Sequence, residues 1–447
     1  MRGIEGALRV LEEVRQGRFA SESLRKLGPT AHGDLTLAST LVYAVLRRQE
    51  LWRSIYEGFL KRDGRGGKPA GDKGGKQLPP PVRDCLAAGT AGLLELRHFA
   101  GGVLVNGLLD QLKERSLTRW VPLVNAVLHS VGEQGAERLE ALRRSPSLED
   151  RALCAGVPVW MLPAWTRTWQ RAEINELFAL LPCPPLSALR PAPGKRDELL
   201  RRLHERGMEA ELSNLSEAVR LNATVLPAEV PGFDEGLCTV QSEGSILAAS
   251  LVKGLYRGGR VLDLCSGRGV KAGQILQSCP DARLEGWELS EGRHKSARTE
   301  LRRLGVLGRA TLRRGSALEL EPLEPPSFVL LDAPCSGSGT WSRKPESKWR
   351  LNWEQLDRLT AMQARLLERA LTLCAPSGII IYVTCSLLRQ ENENVVAAVL
   401  AGHPECAELP APWGQGAPFH RGRPWGTYIW PETPWLDGFY CAVIIKR

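Results

Sequence analysis

The sequence predicts a multidomain chain in which an all-helical domain, residues 1–145, precedes an α/β domain, residues 236–447, with a Rossmann-like, doubly wound parallel sheet. Three observations support this prediction. Apolar residues recur at helical spacing in the first part, strand-like apolar runs alternate with helical segments from about residue 236, and 447 residues suffice for several domains. A small mixed α/β region, 155–232, rich in proline, is expected to connect the two domains.

The helical prediction for the first domain depends on two apolar stripes, one in residues 7–14 and one in residues 37–46. The first stripe consists of Ala7, Leu8, Leu11 and Val14, and the second of Leu37, Leu41, Val42, Val45 and Leu46. The segment 61–77, rich in glycine and basic residues, interrupts this pattern. A surface insertion is favoured for it over an RNA-binding tail.

The α/β prediction depends on a series of apolar runs at 260–265, 283–289, 310–315, 327–334 and 378–385, with a final strand in "FYCAVIIK". Between the last two runs of the series, the spacing predicts an amphipathic helix over about 354–374, with Asn352 as its N-cap. Alternation of strands and helices is typical of a parallel sheet, which binds ligands beyond the carboxyl ends of its strands.

The composition excludes several classes of protein. There is no secretory signal and no apolar run long enough to cross a membrane, and the eleven cysteines are scattered without a C-x-x-C pair, so a reducing, cytoplasmic location is expected. The seven histidines form no metal-like cluster, and no metal is expected. A formal charge of +9 favours a polyanionic partner such as nucleic acid.

The first strand of the α/β domain ends in a glycine-rich turn, "VLDLCSGRGVKAG". Gly267, Gly269 and Gly273 are spaced G-x-G-x-x-x-G, so the third glycine is misplaced for the dinucleotide fingerprint. Glu288 closes the second strand, where a carboxylate can accept both ribose hydroxyls. An adenosine cofactor is therefore expected, with S-adenosylmethionine favoured over a nicotinamide dinucleotide; a tight turn without a ligand is the alternative.

Two cysteines follow the ends of two later strands. Asp332 and Cys335 come after one strand, and Cys385 comes after the next. The single helix between these strands predicts that they are neighbours, so both thiols and the carboxylate could face one pocket beside the glycine turn.

A thiol, a carboxylate and a methyl donor suit methylation of cytosine at carbon 5. A thiolate that adds at carbon 6 makes carbon 5 nucleophilic, and an acid at ring nitrogen 3 stabilises the charge that develops. A second thiol could assist the later release of the first. The nucleophile needs a cationic or dipolar neighbour to ionise, for which Lys271 and the helix N-termini are candidates. From the residues alone, either cysteine could be the nucleophile.

The motifs "DAPCSGSG…RKPESKW" and "YVTCSLLRQENENVV" resemble the two signatures of the RNA 5-methylcytosine methyltransferases, in particular the RsmB/Fmu (Sun) family that acts on 16S ribosomal RNA. The resemblance covers nearly the whole chain. "LPPPVRDCLAAGTAGLLEL" is similar to the NusB-like, RNA-binding amino-terminal domain of that family, and "WLDGFYCAVIIKR" to the closing strand of its catalytic domain.

The resemblance implies a role for each site residue. Cys385 would be the nucleophile, Cys335 the thiol for product release, and Asp332 the contact to cytosine that also borders the cofactor. Glu288 would hold the ribose. The methionine end of S-adenosylmethionine would lie against Cys265, Ser266, Gly267, Arg268, Gly269, Val270 and Lys271.

The cofactor loop departs from the family pattern "CAAPGGK". Arg268 replaces proline and Val270 replaces a glycine, and because valine does not readily adopt a positive φ, a different turn and weaker cofactor binding are expected. Ser316 stands where the family has an aspartate near the adenine. An active enzyme is favoured over a non-catalytic RNA-binding or ribosome-assembly factor, and a DNA methyltransferase is a third alternative.

The segment after Cys335, "GTWSRKPESKWR", combines basic and aromatic residues. Phosphate contacts are expected from Arg343, Lys344, Lys348 and Arg350, and base stacking from Trp341 and Trp349. The expected partner is an unpaired or extruded cytosine of ribosomal RNA, since the target base must be reached outside a stack. A monomer is favoured.

Overall fold

The structure is a computed structural model, and it describes residues 2–27, 32–60, 78–96, 100–413, 419–422 and 424–447. The predicted surface insertion at 61–77 lies outside these residues. In the part that is described, no helix is long and apolar enough to cross a membrane.

The elements follow the predicted change from helices to alternating strands and helices. The first part consists of α1 (Arg2–Arg15), α2 (Ala20–Arg25), α3 (His32–Arg47), α4 (Gln49–Glu57), α5 (Pro80–Glu95), α6 (Gly101–Glu114), α7 (Val121–Arg144), α8 (Leu148–Ala155), α9 (Leu162–Thr166) and α10 (Arg171–Leu180). The middle part consists of β1 (Ala188–Pro191), α11 (Arg196–Glu205), β2 (Ala210–Leu212), β3 (Val219–Leu221) and β4 (Cys238–Val240).

The last part carries the larger sheet. It consists of α12 (Glu243–Leu255), β5 (Arg260–Asp263), α13 (Val270–Ser278), β6 (Arg283–Glu288), α14 (Glu291–Arg303), β7 (Ala310–Arg314), β8 (Phe328–Asp332), α15 (Glu346–Trp349), α16 (Trp353–Leu373), β9 (Ile379–Thr384), α17 (Glu393–Leu400), β10 (Cys406–Glu408), β11 (Phe419–Arg421), β12 (Thr427–Ile429) and β13 (Phe439–Lys446).

The chain divides into two compact units. Unit 1 is Met1–Pro182 together with Trp341–Arg350, and unit 2 is Cys183–Thr340 together with Leu351–Arg447. The segment 341–350, which includes α15, therefore packs in unit 1 although the strands on either side of it belong to unit 2. The expected boundaries after residue 145 and before residue 236 stay predictions.

Unit 1 is helical, and both predicted apolar stripes contribute to its core. Ala7, Leu8 and Leu11 of α1 are buried, as are Leu41 and Val42 of α3. The helical nature of the amino-terminal part is confirmed; its likeness to NusB stays a prediction.

Unit 2 contains two sheets. The smaller one, with strand order β2-β3-β1-β4, is antiparallel. The larger one has the order β11-β12-β13-β9-β8-β5-β6-β7, with β10 beside β13. Its strands β9, β8, β5, β6 and β7 are parallel, as predicted, whereas β13 runs antiparallel to β9. The parallel order reverses between β5 and β8, which is where sheets of this kind bind ligands.

The helix between β8 and β9 begins and ends within one residue of its prediction. Asn352 precedes α16, and its side-chain Oδ1 accepts a hydrogen bond of 2.8 Å from the Gln355 amide. This confirms the predicted N-cap. Because α16 crosses from β8 to β9, the two strands are parallel neighbours, with Asp332 opposite Val383.

Candidate active site

The loops that follow β8 and β9 bring two cysteines together. Because the strands are in register at their carboxyl ends, the loops emerge side by side, and the Gly339 amide donates to the Cys385 carbonyl at 3.0 Å. The two sulfur atoms, of Cys335 and Cys385, lie 3.4 Å apart. The predicted meeting of the two thiols is therefore present in the fold.

The Cys335 thiol holds its proton firmly. The hydrogen bond to Cys385 and, next, burial raise the pKa of the Cys335 thiol well above its ordinary value. Cys335 therefore stays protonated to higher pH than a free thiol does.

Lys271 is the cation of the site. It lies in the first turn of α13, and its Nζ donates to Asp332 Oδ2 at 2.6 Å and lies 5.2 Å from the centre of the Phe439 ring. Burial alone would lower the pKa of Lys271, but the charge and hydrogen bond of Asp332, with a contribution from Cys385, raise it above its ordinary value. Lys271 is therefore an ammonium ion whose field reaches Cys385.

Asp263 is a site residue that the sequence reasoning missed. It ends β5 in the middle of an apolar run and is almost completely buried. Burial, and then the charge of Asp332, raise the pKa of Asp263 to about 7, and its Oδ1 has no hydrogen-bond partner. The signal in the sequence was an acid within "VLDLC", which a buried strand accepts only where it serves a ligand or a partner.

The glycine turn after β5 has an open backbone. Gly267 and Gly269 have φ of +56° and +79°, which only glycine adopts readily. A Cβ on Gly269 would lie 3.1 Å from Ala297, whereas a Cβ on Gly267 would have nothing nearer than the Cys265 carbonyl at 3.9 Å. Gly267 therefore leaves its peptide accessible to a ligand.

The prediction that Val270 distorts the glycine turn is wrong. Val270 is the first residue of α13 and needs no positive φ, because Gly269 in front of it adopts the left-handed conformation. The third glycine serves packing, since a Cβ on Gly273 would lie 2.6 Å from Leu304. This contact gives a reason for glycine at position 273 that involves no ligand.

Glu288 and Ser316 lie at the ends of the next two strands. Glu288 is buried, and its Oε1 accepts from the Ser290 amide at 2.7 Å and from Arg293 at 2.9 Å. The Gly315 amide donates to the Glu288 carbonyl at 3.2 Å, which places Ser316 beside it on the same edge. The Ser316 hydroxyl accepts from the Leu318 amide at 3.3 Å.

The other residues of the glycine turn, Cys265, Ser266 and Arg268, have different environments. The Ser266 amide donates to the Trp287 carbonyl at 2.8 Å, which ties the glycine turn to β6. Burial raises the pKa of the Cys265 thiol, so it stays protonated. Arg268 is exposed at the rim of the turn.

Several residues of the basic aromatic segment 341–350 do not have the expected role. Trp341 is fully buried and stacks on Trp165, with ring centres 5.9 Å apart. Lys348 is also fully buried, and its Nζ donates to the Arg47 carbonyl at 2.7 Å. The indole of Trp349 donates to the Leu46 carbonyl at 2.5 Å.

These contacts lie within unit 1 and use the donors that RNA would have needed. Arg350 likewise donates to backbone carbonyls, at 2.9 Å to Val14 and 3.0 Å to Gly17. The predictions that Trp341 stacks on a base and that Lys348 binds a phosphate are therefore wrong. Of the four basic residues, Lys344 is exposed.

In the described ranges, no group of His, Cys, Asp or Glu is arranged to hold a metal ion. The reactive groups of unit 2 are thus two thiols, an ammonium ion and carboxylates at the carboxyl edge of a parallel sheet. This sheet, with a glycine turn at its switch point, defines a Rossmann-like methyltransferase domain.

Comparison with known proteins identifies the family. Residues 254–445 match the family described as 16S rRNA methyltransferase RsmB/F. Ribosomal RNA small subunit methyltransferase B of Xylella fastidiosa (strain Temecula1) is 31% identical over 97% of this chain and 95% of its own length. The protein of the same name from Thermus thermophilus is 31% identical over 98% of this chain and 96% of its own length.

The fold agrees with a solved structure over nearly the whole chain. The crystal structure of PH0851 superposes with a TM-score of 0.77 at 21% identity, covering 99% of this chain and 98% of that one. The chain belongs to the RsmB/F family of 16S rRNA methyltransferases, and the resemblance seen in its two cysteine motifs is confirmed.

Proposed function

We propose that this protein transfers a methyl group from S-adenosylmethionine to carbon 5 of an unpaired cytosine in 16S ribosomal RNA, through a covalent adduct of Cys385 with carbon 6. The observation that supports this most directly is the 3.4 Å separation of the Cys335 and Cys385 sulfur atoms beside the Lys271 ammonium. Two thiols suit a reaction that first adds a thiolate and later removes a proton.

The groups around the glycine turn fit S-adenosylmethionine. The open peptide at Gly267 and the orphaned Asp263 Oδ1 offer a donor and an acceptor to an amino-acid moiety, and Glu288 offers its carboxylate to a ribose. The segment Cys265–Lys271 would hold the methionine end, and Ser316 the adenine side. Bound S-adenosylmethionine supplies an electrophilic methyl group.

Lys271 prepares the nucleophile and the ring. Its ammonium favours the thiolate of Cys385, which adds to carbon 6 of the pyrimidine and pushes charge onto the ring. Asp332, which accepts a hydrogen bond from Lys271, would contact nitrogen 3 and stabilise the charge as it develops. Carbon 5 then becomes the nucleophile.

The adduct changes the state of Cys335. The hydrogen bond from Cys335 to Cys385, burial and the charge of Cys385 hold the pKa of Cys335 high in the free protein. Once the Cys385 sulfur is bonded to carbon 6, it carries no charge and Cys335 loses this restraint. Cys335 can then release its proton to solvent and take the proton from carbon 5, after which the Cys385 thiolate is eliminated.

The test is the transfer of a tritiated methyl group from S-adenosylmethionine to unmodified 16S ribosomal RNA. The unaltered protein is expected to label RNA at cytosine, and Cys385→Ala is expected to reduce the label to background. Label at wild-type rate in Cys385→Ala would show that the nucleophile is assigned wrongly.

Two comparisons separate the alternatives. Calorimetry with S-adenosylhomocysteine is expected to detect binding, and its failure would favour a non-catalytic RNA-binding factor. Preference for a DNA substrate of the same sequence would favour a DNA methyltransferase. The sequenced position of 5-methylcytosine after bisulfite treatment would name the target nucleotide.

A further inference from the structure

A buried carboxylate lies beneath both cysteine loops. Glu391, in the segment between β9 and α17, is 0% exposed. Four hydrogen bonds converge on its two oxygens. Its Oε1 accepts from the Ser336 amide at 2.8 Å and from Gln363 Nε2 at 3.0 Å, and its Oε2 accepts from the hydroxyls of Ser336 and Ser386, each at 2.5 Å.

The bonded serines are the immediate neighbours of the two cysteines. Ser336 follows Cys335, and Ser386 follows Cys385. One carboxylate therefore fixes the residue after each thiol, on loops that are fifty positions apart in the chain. Gln363 of α16 extends the arrangement, since its Nε2 also donates to the Pro334 carbonyl, directly before Cys335, at 2.8 Å.

The hydroxyls around Glu391 complete a closed network. The Ser338 and Ser386 hydroxyls lie 3.1 Å apart, and the Leu387 amide donates to Ser338 Oγ at 2.8 Å. All these polar groups are buried, so water cannot replace a lost partner at low cost. The backbone of Glu391 is also fixed, because the Tyr382 hydroxyl donates to its carbonyl at 2.6 Å.

We propose that Glu391 is a positioning residue that holds Cys335 and Cys385 at reacting distance by binding the serine after each. This inference rests on the proposed function for its catalytic meaning, but its geometric content can be tested without RNA or cofactor. After the hydrogen bond to Cys385, burial and the charge of Cys385, the charge of Glu391 contributes to the raised pKa of Cys335.

The geometric test uses phenylarsine oxide, whose trivalent arsenic condenses with two adjacent thiols, forming two As–S bonds and releasing water. The reduced full-length protein is expected to form one such adduct that proteolysis and mass spectrometry map to Cys335 and Cys385. Either Cys→Ala variant is expected to abolish this adduct. Glu391→Ala is expected to slow its formation about tenfold or more, because the loops are no longer fixed to each other.

Glu393 provides a matched control. It is also a buried carboxylate, the first residue of α17, and its Oε2 accepts from the Tyr428 hydroxyl of β12. Glu393→Ala is expected to form the arsenic adduct within about twofold of the wild-type rate. Wild-type adduct formation in Glu391→Ala, or equal loss in both variants, would overturn the positioning role.

The effect of the Glu391 charge is tested with Glu391→Gln, which keeps the shape of the side chain. The same variant replaces Glu391→Ala if that protein does not fold. In a Cys385→Ala background, the rate of Cys335 alkylation by iodoacetamide is measured against pH. Removing the carboxylate charge is expected to move the midpoint of the alkylation rate profile to lower pH, by a measurable shift of at most about one unit. An unchanged midpoint would show that the charge of Glu391 does not act on Cys335, and Glu391→Gln in the arsenic assay would still test the positioning role.

Methyl transfer connects the inference to catalysis. Glu391→Ala is expected to lower kcat about tenfold or more while the KM for S-adenosylmethionine stays within about twofold, because Glu391 supports the cysteine loops and not the glycine turn. An unchanged kcat would overturn the inference. Absence of methyl transfer in the unaltered protein would instead refute the proposed function, and the arsenic and alkylation results would still decide the positioning role.

Discussion

The sulfur atoms of Cys335 and Cys385 lie 3.4 Å apart, and this contact contributes to the raised pKa of the Cys335 thiol. This relationship arises because β8 and β9 are parallel neighbours in register and each is followed at once by a cysteine loop. The raised pKa keeps Cys335 protonated before any substrate binds. The proposed division into a nucleophile, Cys385, and a releasing thiol, Cys335, is consistent with this.

Replacement of Cys335 is expected to trap the reaction after addition. In Cys335→Ala, the Cys385 thiolate can still add to carbon 6, but the thiol that takes the carbon 5 proton is absent, so a covalent protein–RNA adduct accumulates. A denaturing gel with labelled RNA and S-adenosylmethionine measures the shifted band. A band of equal intensity in the Cys335→Ala, Cys385→Ala double variant would contradict the assignment.

Lys271 is expected to control the reactivity of Cys385. In a Cys335→Ala background at neutral pH, Lys271→Met should slow alkylation of Cys385 by iodoacetamide about tenfold, because the ammonium that favours the thiolate is lost. Lys253→Met, which removes an exposed lysine paired with Glu217, serves as the control and should leave the rate unchanged. Equal rates in all three proteins would show that Lys271 does not act on the thiol.

Asp263 is expected to make stability fall as the pH rises. Its pKa of about 7 lies above the value of 3.8 for a free aspartate, so the folded chain holds this proton to higher pH than the unfolded chain does. The stabilisation is complete below about pH 4 and is lost through about pH 7, and wild type should lose about 2–3 kcal/mol relative to Asp263→Asn between about pH 5 and about pH 8. Urea unfolding of both proteins checks this, and parallel pH profiles would refute it.

Lys348 is expected to cost stability near neutral pH. Burial lowers the pKa of Lys348 well below its ordinary value, so the folded chain resists the protonation that the unfolded chain accepts. Lys348→Met should therefore raise the free energy of unfolding by about 1 kcal/mol, and by more at about pH 6 than at about pH 9. Urea unfolding is the measurement, with the exposed Lys344→Met as control; a loss of stability in Lys348→Met would contradict the expectation.

The glycine turn is expected to tolerate change at Val270 but not at Gly269. Val270→Gly should leave the affinity for S-adenosylhomocysteine within about twofold, because Val270 already adopts a helical conformation. Gly269→Ala should weaken binding about tenfold or more, because alanine is strained at φ +79° and would press on Ala297. Calorimetry measures both, and a large gain in affinity from Val270→Gly would restore the idea of a distorted turn.

The strands, their order around the switch point and the meeting of the two thiols could be predicted because each depends on local pattern. Alternation of strand and helix fixes a parallel sheet, and the short crossover through α16 makes β8 and β9 neighbours. The antiparallel pairing of β13 with β9 could not be predicted, since a final strand without a crossover helix carries no mark of its direction.

The residues that sequence reasoning misjudged or missed are polar groups whose burial depends on distant partners. Lys348 lies in a basic stretch typical of a surface, and only the Arg47 carbonyl, some three hundred positions away, shows that it is buried. Glu391 lies in "RQENEN", which is typical of solvent-exposed chain, yet four donors surround its carboxylate. Burial of such groups follows from tertiary contacts, which spacing along the chain does not reveal.

The packing of residues 341–350 in the helical unit has a consequence for biosynthesis. The ribosome makes the partners of this segment, Trp165 among them, long before it makes Trp341. Until then Trp165 lacks its stacking partner, and the carbonyls of Leu46 and Arg47 lack the donors that Trp349 and Lys348 supply. Unit 1 is therefore completed only after strands β5 to β8 have been translated.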